Sequence, residues 1–69
     1  METLIINGKE KKFPNEIPST VTRLLKQLDI QPETIVAEID GQIIGCDKFT
    51  VTQLHCGQNI ELVRFVGGG

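Results

Sequence analysis

The stretch Ser19-Thr20-Val21-Thr22-Arg23-Leu24-Leu25-Lys26-Gln27-Leu28-Asp29 decides the architecture. Val21, Leu24, Leu25 and Leu28 recur at i, i+3, i+4 and i+7, which places them on one stripe of an α-helix. Ser19 or Thr20 can accept a hydrogen bond from a first-turn N–H and cap the helix. Pro32 is expected to force the chain out of helical geometry at the other end, leaving a helix of roughly two turns or slightly more. An amphipathic helix with a single apolar face has to bury that face on a sheet.

The segments on either side supply the strands. Thr3-Leu4-Ile5-Ile6 runs into Asn7-Gly8. A β-branched run ending in Asn-Gly signals a hairpin, because a type I′ turn requires φ > 0 at both central residues. Its return strand, residues 9–13, is rich in lysine, which suits a sheet edge. Pro14 and Pro18 bracket a loop. Residues 34–40 form the next strand, with Ile35, Ala37 and Ile39 on one face by the period of two. Asp40-Gly41 is a second turn and Ile43-Ile44 its short return. Residues 45–58 read as irregular, with Phe49, Val51 and Leu54 as expected core pegs and Gly57-Gln58-Asn59 as a turn. Residues 60–66 form the last strand, followed by Gly67, Gly68 and Gly69. The expectation is an α+β roll, a mixed sheet of four to five strands with one helix across one face. A single domain is expected over residues 1–66, with a flexible glycine tail at 67–69.

Composition narrows the function classes. The 69 residues carry 7 Lys+Arg against 9 Asp+Glu, a formal net charge of -2. Phosphate binding needs clustered basic residues, and the one cluster, Lys9, Lys11 and Lys12, has Glu10 inside it. Trp and Tyr, the usual base-stacking platforms, are absent. No nucleic acid is expected as a partner. No apolar run approaches the roughly 20 residues of a membrane span, and the N-terminal segment does not read as a signal peptide. The expected setting is the cytoplasm, with reduced thiols and no membrane association.

The side chains offer little catalysis. His55 adjoins Cys56, but neighbouring residues rarely aim their side chains at one another and no third orienting group is evident. His55 reads as a solvated loop histidine, and no catalytic residue is assigned. Cys46 and Cys56 form no CxxC motif, and two cysteines with one histidine fall short of a zinc site, so no metal is expected and the thiols are expected to be buried or inert. The carboxylates read as surface charge. Only the glycine end is chemically unusual. Glycine lacks Cβ and can thread a channel wide enough for backbone alone. A terminal glycine carboxylate is sterically open, and three extended residues carry it about 10 Å beyond a folded body. The plainer reading is a frayed tail or cloning remnant.

Period-two parity supplies an expected partner surface. If Ile60 and Leu62 face the helix, Val63 and Phe65 face outward, joined by Ile5 and Val36, and this patch would bind partners. The reverse parity would bury Phe65.

The Asn7-Gly8 hairpin, the Thr20-Val21 helix start with Leu24-Leu25 and Leu28, the strand from Ile35, the Ile43-Ile44 segment and the end Phe65-Val66-Gly67-Gly68-Gly69 together resemble the ThiS family of small sulfur carriers in thiamine biosynthesis. The resemblance spans the whole chain and implies the β-grasp (ubiquitin-like) fold. The sister family of molybdopterin synthase small subunits usually has a longer chain and a proline before its Gly-Gly, where this chain has Phe65-Val66.

The resemblance implies that the Gly69 carboxylate is adenylated by a ubiquitin-activating-type adenylyltransferase using ATP and Mg²⁺, while Gly67 and Gly68 thread that enzyme's channel. Sulfur from a cysteine desulfurase would then give a thiocarboxylate that thiazole synthase consumes. The protein itself would be a monomer with no bound cofactor, a co-substrate and not an enzyme. Three other readings remain open: a carrier for molybdopterin or another sulfur pathway, a ubiquitin-like protein modifier, and a stand-alone interaction module with an idle tail.

Overall fold

A computed structural model describes residues 1–65 of the chain. The expected boundary between residues 66 and 67, and the glycines Gly67, Gly68 and Gly69, lie outside the described residues. In chain order the elements are β1 (Glu2–Ile6), β2 (Lys9–Phe13), α1 (Val21–Gln27), β3 (Ile35–Ile39), β4 (Gln42–Ile44) and β5 (Asn59–Arg64), with short 3-10 turns at Pro32–Thr34 and Cys46–Lys48. The five strands form one mixed sheet in the order β2-β1-β5-β3-β4. The last strand occupies the centre, parallel to β1 and antiparallel to β3. The lysine-rich β2 lies at an edge, as expected.

Local chemistry accounts for both hairpins. Asn7 and Gly8 have φ of 51° and 80°, and Asp40 and Gly41 have φ of 49° and 86°. These pairs of left-handed residues match the right-handed twist of the strands they join. Between them, α1 lays Val21, Leu24 and Leu25 against Leu4, Ile35, Ala37, Ile39, Ile60 and Leu62, all buried on one face of the sheet. Phe13 closes one end of this core, with the Lys11 ammonium 5.5 Å from its ring centroid. Glu2 ties the connecting loop to β1 by accepting a hydrogen bond from the Ile17 N–H at 2.8 Å.

Both helix ends are satisfied by specific partners. The Thr20 hydroxyl accepts from the Arg23 N–H at 3.3 Å, so Thr20 and not Ser19 is the N-cap. The Val21 and Thr22 N–H groups donate to the carbonyls of Thr52 and Phe49, each at 3.2 Å. Three first-turn donors without intrahelical partners are thereby occupied. At the other end Asp29 has φ of 58°. Its N–H donates to the Lys26 carbonyl at 3.2 Å, and the Ile30 N–H donates to the Leu25 carbonyl at 2.9 Å. This is a Schellman motif, and Ile30 packs against the core beside it. The helix therefore stops at a left-handed Asp29, before Pro32 acts, and is slightly shorter than expected.

The connection from β4 to β5 differs most from expectation. Phe49 and Leu54 are buried, but Val51 is 69% exposed. The expectation that Val51 is a core peg fails because this segment, read as irregular, coils into a turn here. The Val51 and Thr52 N–H groups both donate to the Lys48 carbonyl, at 3.1 and 2.9 Å, making a helical turn. At about 100° per residue, two positions on from a buried Phe49 points to the opposite side.

Candidate functional site

The helix-free face of the sheet is where the residue pattern leads one to expect partners, and its geometry follows from strand parity. Ile60 and Leu62 are buried under α1. Val63 and Phe65 consequently face outward, at 57% and 50% exposure. The reverse parity, with Phe65 buried, is excluded. Val36 is directly opposite Val63 across β3 and β5. The Phe65 N–H donates to the Thr34 carbonyl at 3.0 Å, which holds Phe65 beside the same edge of β3. Val36, Val63 and Phe65 thus form one apolar group at the C-terminal end of the central strand.

Ile5 shares this face but stands apart from that group. Its register partner on β5 is Asn59, because β1 pairs only with the beginning of β5. Four residues of strand, about 13 Å, separate it from Val63. Ile43, which the sequence does not single out as a surface residue, is 67% exposed and lies opposite Glu38. Glu38 itself lies directly opposite Glu61. Two glutamates are therefore cross-strand partners in the middle of the open face, with the Val36–Val63 rung close by. The sequence carries part of this signal, since Glu38 has the parity of Val36 and Glu61 that of Val63. The antiparallel register that brings them together has no such signal.

The remaining candidates are distributed without convergence. His55 is exposed, and its backbone N–H donates to Gln58 Oε1 at 2.7 Å. Cys46 and Cys56 are both free and exposed, so of the expectation that the thiols are buried or inert, burial does not hold. The two cysteines occupy loops and turns that the core does not cover. Cys46 Sγ lies 3.9 Å from the Pro32 carbonyl, and Cys56 Sγ accepts from the Thr3 N–H at 3.5 Å. A surface depression gathers His55 and Cys56 with Glu2 and Glu16. Among the described residues no hydrogen bond joins the imidazole to the thiol, and Glu2 is committed to the Ile17 N–H. A second depression, beside α1, is lined by Ile17, Ser19, Arg23 and Lys26 with Glu16 as its one carboxylate. Among the described residues no three His, Cys, Asp or Glu side chains are grouped to hold a metal ion, and no helix is long and apolar enough to cross a membrane.

A roll with its last strand at the centre of the sheet, one helix on one face and an apolar group on the other belongs to the ubiquitin-like β-grasp class. Known structures agree. The crystal structure of thiamine biosynthesis protein ThiS from Geobacter metallireducens superposes with a TM-score of 0.84 at 31% identity, covering 97% of this chain and 99% of that one. The NMR structure of a thiamine biosynthesis protein from the same organism gives a TM-score of 0.79 at 31% identity, with 97% and 87% covered.

By sequence, the chain is 32% identical over 66 residues to the sulfur carrier protein ThiS of Bacillus subtilis (strain 168), spanning 96% of this chain and 98% of that protein. It is 30% identical over 66 residues to a thiazole synthase of Paramagnetospirillum magneticum (strain ATCC 700264 / AMB-1), of which it spans only 20%. The ThiS family model matches residues 4–69. The chain belongs to the ThiS family.

Proposed function

We propose that this protein is a sulfur carrier in thiamine biosynthesis, loaded at the carboxylate of Gly69. The observation that carries the reading is the end-to-end similarity to a protein named as a sulfur carrier, 98% of which is covered. A carboxylate is a poor electrophile. Attack of the Gly69 carboxylate on the α-phosphate of ATP, with Mg²⁺, releases pyrophosphate and leaves an acyl adenylate whose AMP departs readily. A ubiquitin-activating-type adenylyltransferase performs this step. The terminal sulfur of a persulfide carried by a cysteine desulfurase then displaces AMP to give an acyl disulfide, and a thiol reductant cleaves its S–S bond, leaving the thiocarboxylate and taking up the other sulfur as a disulfide. The thiocarboxylate is an anionic, soft sulfur nucleophile, comparable to a thiolate. Thiazole synthase takes its sulfur into the thiazole ring. Support for that last partner comes from a protein named thiazole synthase in which a segment similar to this chain makes up 20% of the length.

In this scheme the folded body is recognised and the glycines Gly67 and Gly68 enter the partner's channel, where a Cβ would obstruct. Val36, Val63 and Phe65 supply the apolar centre of the docking face, with Ile5 at its far end. The cross-strand pair Glu38 and Glu61 places two acidic residues on this face, which suits a cationic side chain on the partner. The protein carries sulfur and catalyses no step, and it acts in the cytoplasm.

The test is the intact mass of the purified protein after incubation with ATP, Mg²⁺, the adenylyltransferase, the desulfurase, cysteine and a thiol reductant. An oxygen-to-sulfur exchange on the free protein supports the carrier, and transfer of that sulfur by thiazole synthase assigns the pathway. Amide conjugates on lysines of other proteins would show a modifier instead. Transfer only to a molybdopterin precursor would move the carrier to the sister pathway.

A further inference from the structure

The central strand is held unequally on its two sides. Residues 59, 61, 63 and 65 direct their backbone groups toward β3, as the Phe65 N–H to Thr34 bond and the Asp40 N–H to Asn59 bond at 2.8 Å show. Residues 58, 60 and 62 direct theirs toward β1. There the Ile5 N–H donates to the Gln58 carbonyl at 2.9 Å and the Asn7 N–H to the Ile60 carbonyl at 2.8 Å. Then β1 ends, because the chain turns at Asn7-Gly8. The next rung is made by a side chain. The Leu62 N–H donates to Asn7 Oδ1 at 2.7 Å, and Asn7 Nδ2 donates to the Leu62 carbonyl at 3.3 Å.

A carboxamide offers an acceptor and a donor side by side, as a peptide group does, and asparagine carries it on the shortest side chain. Asparagine also tolerates the left-handed φ of 51° that the turn demands. A single residue thus closes the hairpin and replaces the missing β1 rung. It does so three positions before Phe65, on the strand that leads to residues 66–69. Nothing about the hairpin alone requires the second function, since glycine or aspartate also suits that turn position.

We propose that Asn7 is a positioning residue for loading: its carboxamide holds the C-terminal half of β5 on the line along which the chain is presented to the activating enzyme. This inference rests on the carrier reading above. The body docks through side chains on the open face, whereas Asn7 acts on the backbone at Leu62. Its loss should therefore reduce turnover more than docking.

The test compares Asn7→Gly, which keeps the turn and deletes the carboxamide, with Asn7→Asp, which keeps an acceptor for the Leu62 N–H and loses the donor. Two quantities are read: amide hydrogen exchange along β5, and the kinetics of sulfur loading. In Asn7→Gly, exchange at Leu62 should accelerate about tenfold. Exchange at Phe65, bonded to Thr34 on the other side, should change little. The loading kcat should fall about 10- to 100-fold with KM nearly unchanged, and Asn7→Asp should fall between Asn7→Gly and the parent in both readouts. Unchanged Leu62 exchange in Asn7→Gly would overturn the clamp. Accelerated exchange with parental kcat would overturn the positioning role, and so would a loss of loading that only tracks the unfolded fraction. If Asn7→Gly does not fold, loss of kcat in a folded Asn7→Asp supports the role and parental kcat overturns it. A parent protein that is never loaded removes the carrier reading and the positioning role with it, while Leu62 exchange still reports on the clamp.

Discussion

Glu38 and Glu61 face each other across β3 and β5 on the side of the sheet that α1 leaves open. Like charges directly opposite in an antiparallel pair are destabilising. A strand whose only duty was folding would be better served by an oppositely charged pair. The expected consequence is a separation of stability from binding. Glu61→Lys should raise stability by roughly 0.2–1 kcal/mol through a new cross-strand pair, seen as a higher melting temperature, while weakening association with the activating enzyme. Stronger association measured by calorimetry would contradict a cationic partner surface. Phe65, half exposed beside the Val36–Val63 rung, behaves similarly. Phe65→Ala should weaken the same association and leave the melting temperature nearly unchanged, because little buried area is lost. A large drop in melting temperature would show that Phe65 belongs to the core.

At the scale of the element, α1 is a seven-residue helix whose ends are made by other parts of the chain. A helix this short has no independent stability in water. The Thr52 and Phe49 carbonyls occupy its first N–H groups, so the loop that follows β4 is part of the helix cap. The buried Phe49 anchors that loop. The C-terminal Schellman motif places an L-residue, Asp29, at φ 58° where glycine is favoured. Asp29→Gly should therefore stabilise the fold, by up to about 1 kcal/mol, and a denaturant midpoint that moves down would show that the Asp29 side chain does more than tolerate its conformation. Asp29 lies on the helix side, so docking through the opposite face should be unaffected.

For the whole molecule, the sheet order places the final strand between β1 and β3, and its C-terminal half is held by β3 on one side and by the Asn7 carboxamide on the other. In the proposed chemistry the reach of the chain beyond this strand matters. Deleting Gly69 withdraws the carboxylate by about 3.5 Å, and reacting groups must meet within about 3–3.5 Å. Adenylation, read by intact mass, should be abolished even though another glycine becomes terminal. Normal loading would falsify Gly69 as the loading site. The exposed Cys46 and Cys56 invite the competing idea of a persulfide carrier. The double Cys→Ser variant should nevertheless load normally, and complete loss of loading in that folded variant would transfer the chemistry to a thiol.

Much of the fold is legible in the amino-acid sequence alone. The Asn7-Gly8 and Asp40-Gly41 turns, the α1 stripe, and the sharing of one face by Ile35, Ala37 and Ile39 and of another by Val63 and Phe65 all follow from backbone sterics and side-chain periodicity. Those forces act within a few residues, so the local sequence determined them. Tertiary structure alone decided which strands became neighbours. Pairing β1 in parallel with a strand more than fifty residues away has no local signal, because it is selected by closing both hairpins over one helix face. That register separates Ile5 from the Val36–Val63–Phe65 group, and the β3–β5 register brings Glu38 to Glu61. The β1–β5 pairing also leaves the gap at Leu62 that the Asn7 carboxamide fills. Val51 turned outward for a related reason. The segment after β4 coils to cap α1, and the helical turn imposed there by long-range packing sets Val51 on the side opposite the buried Phe49.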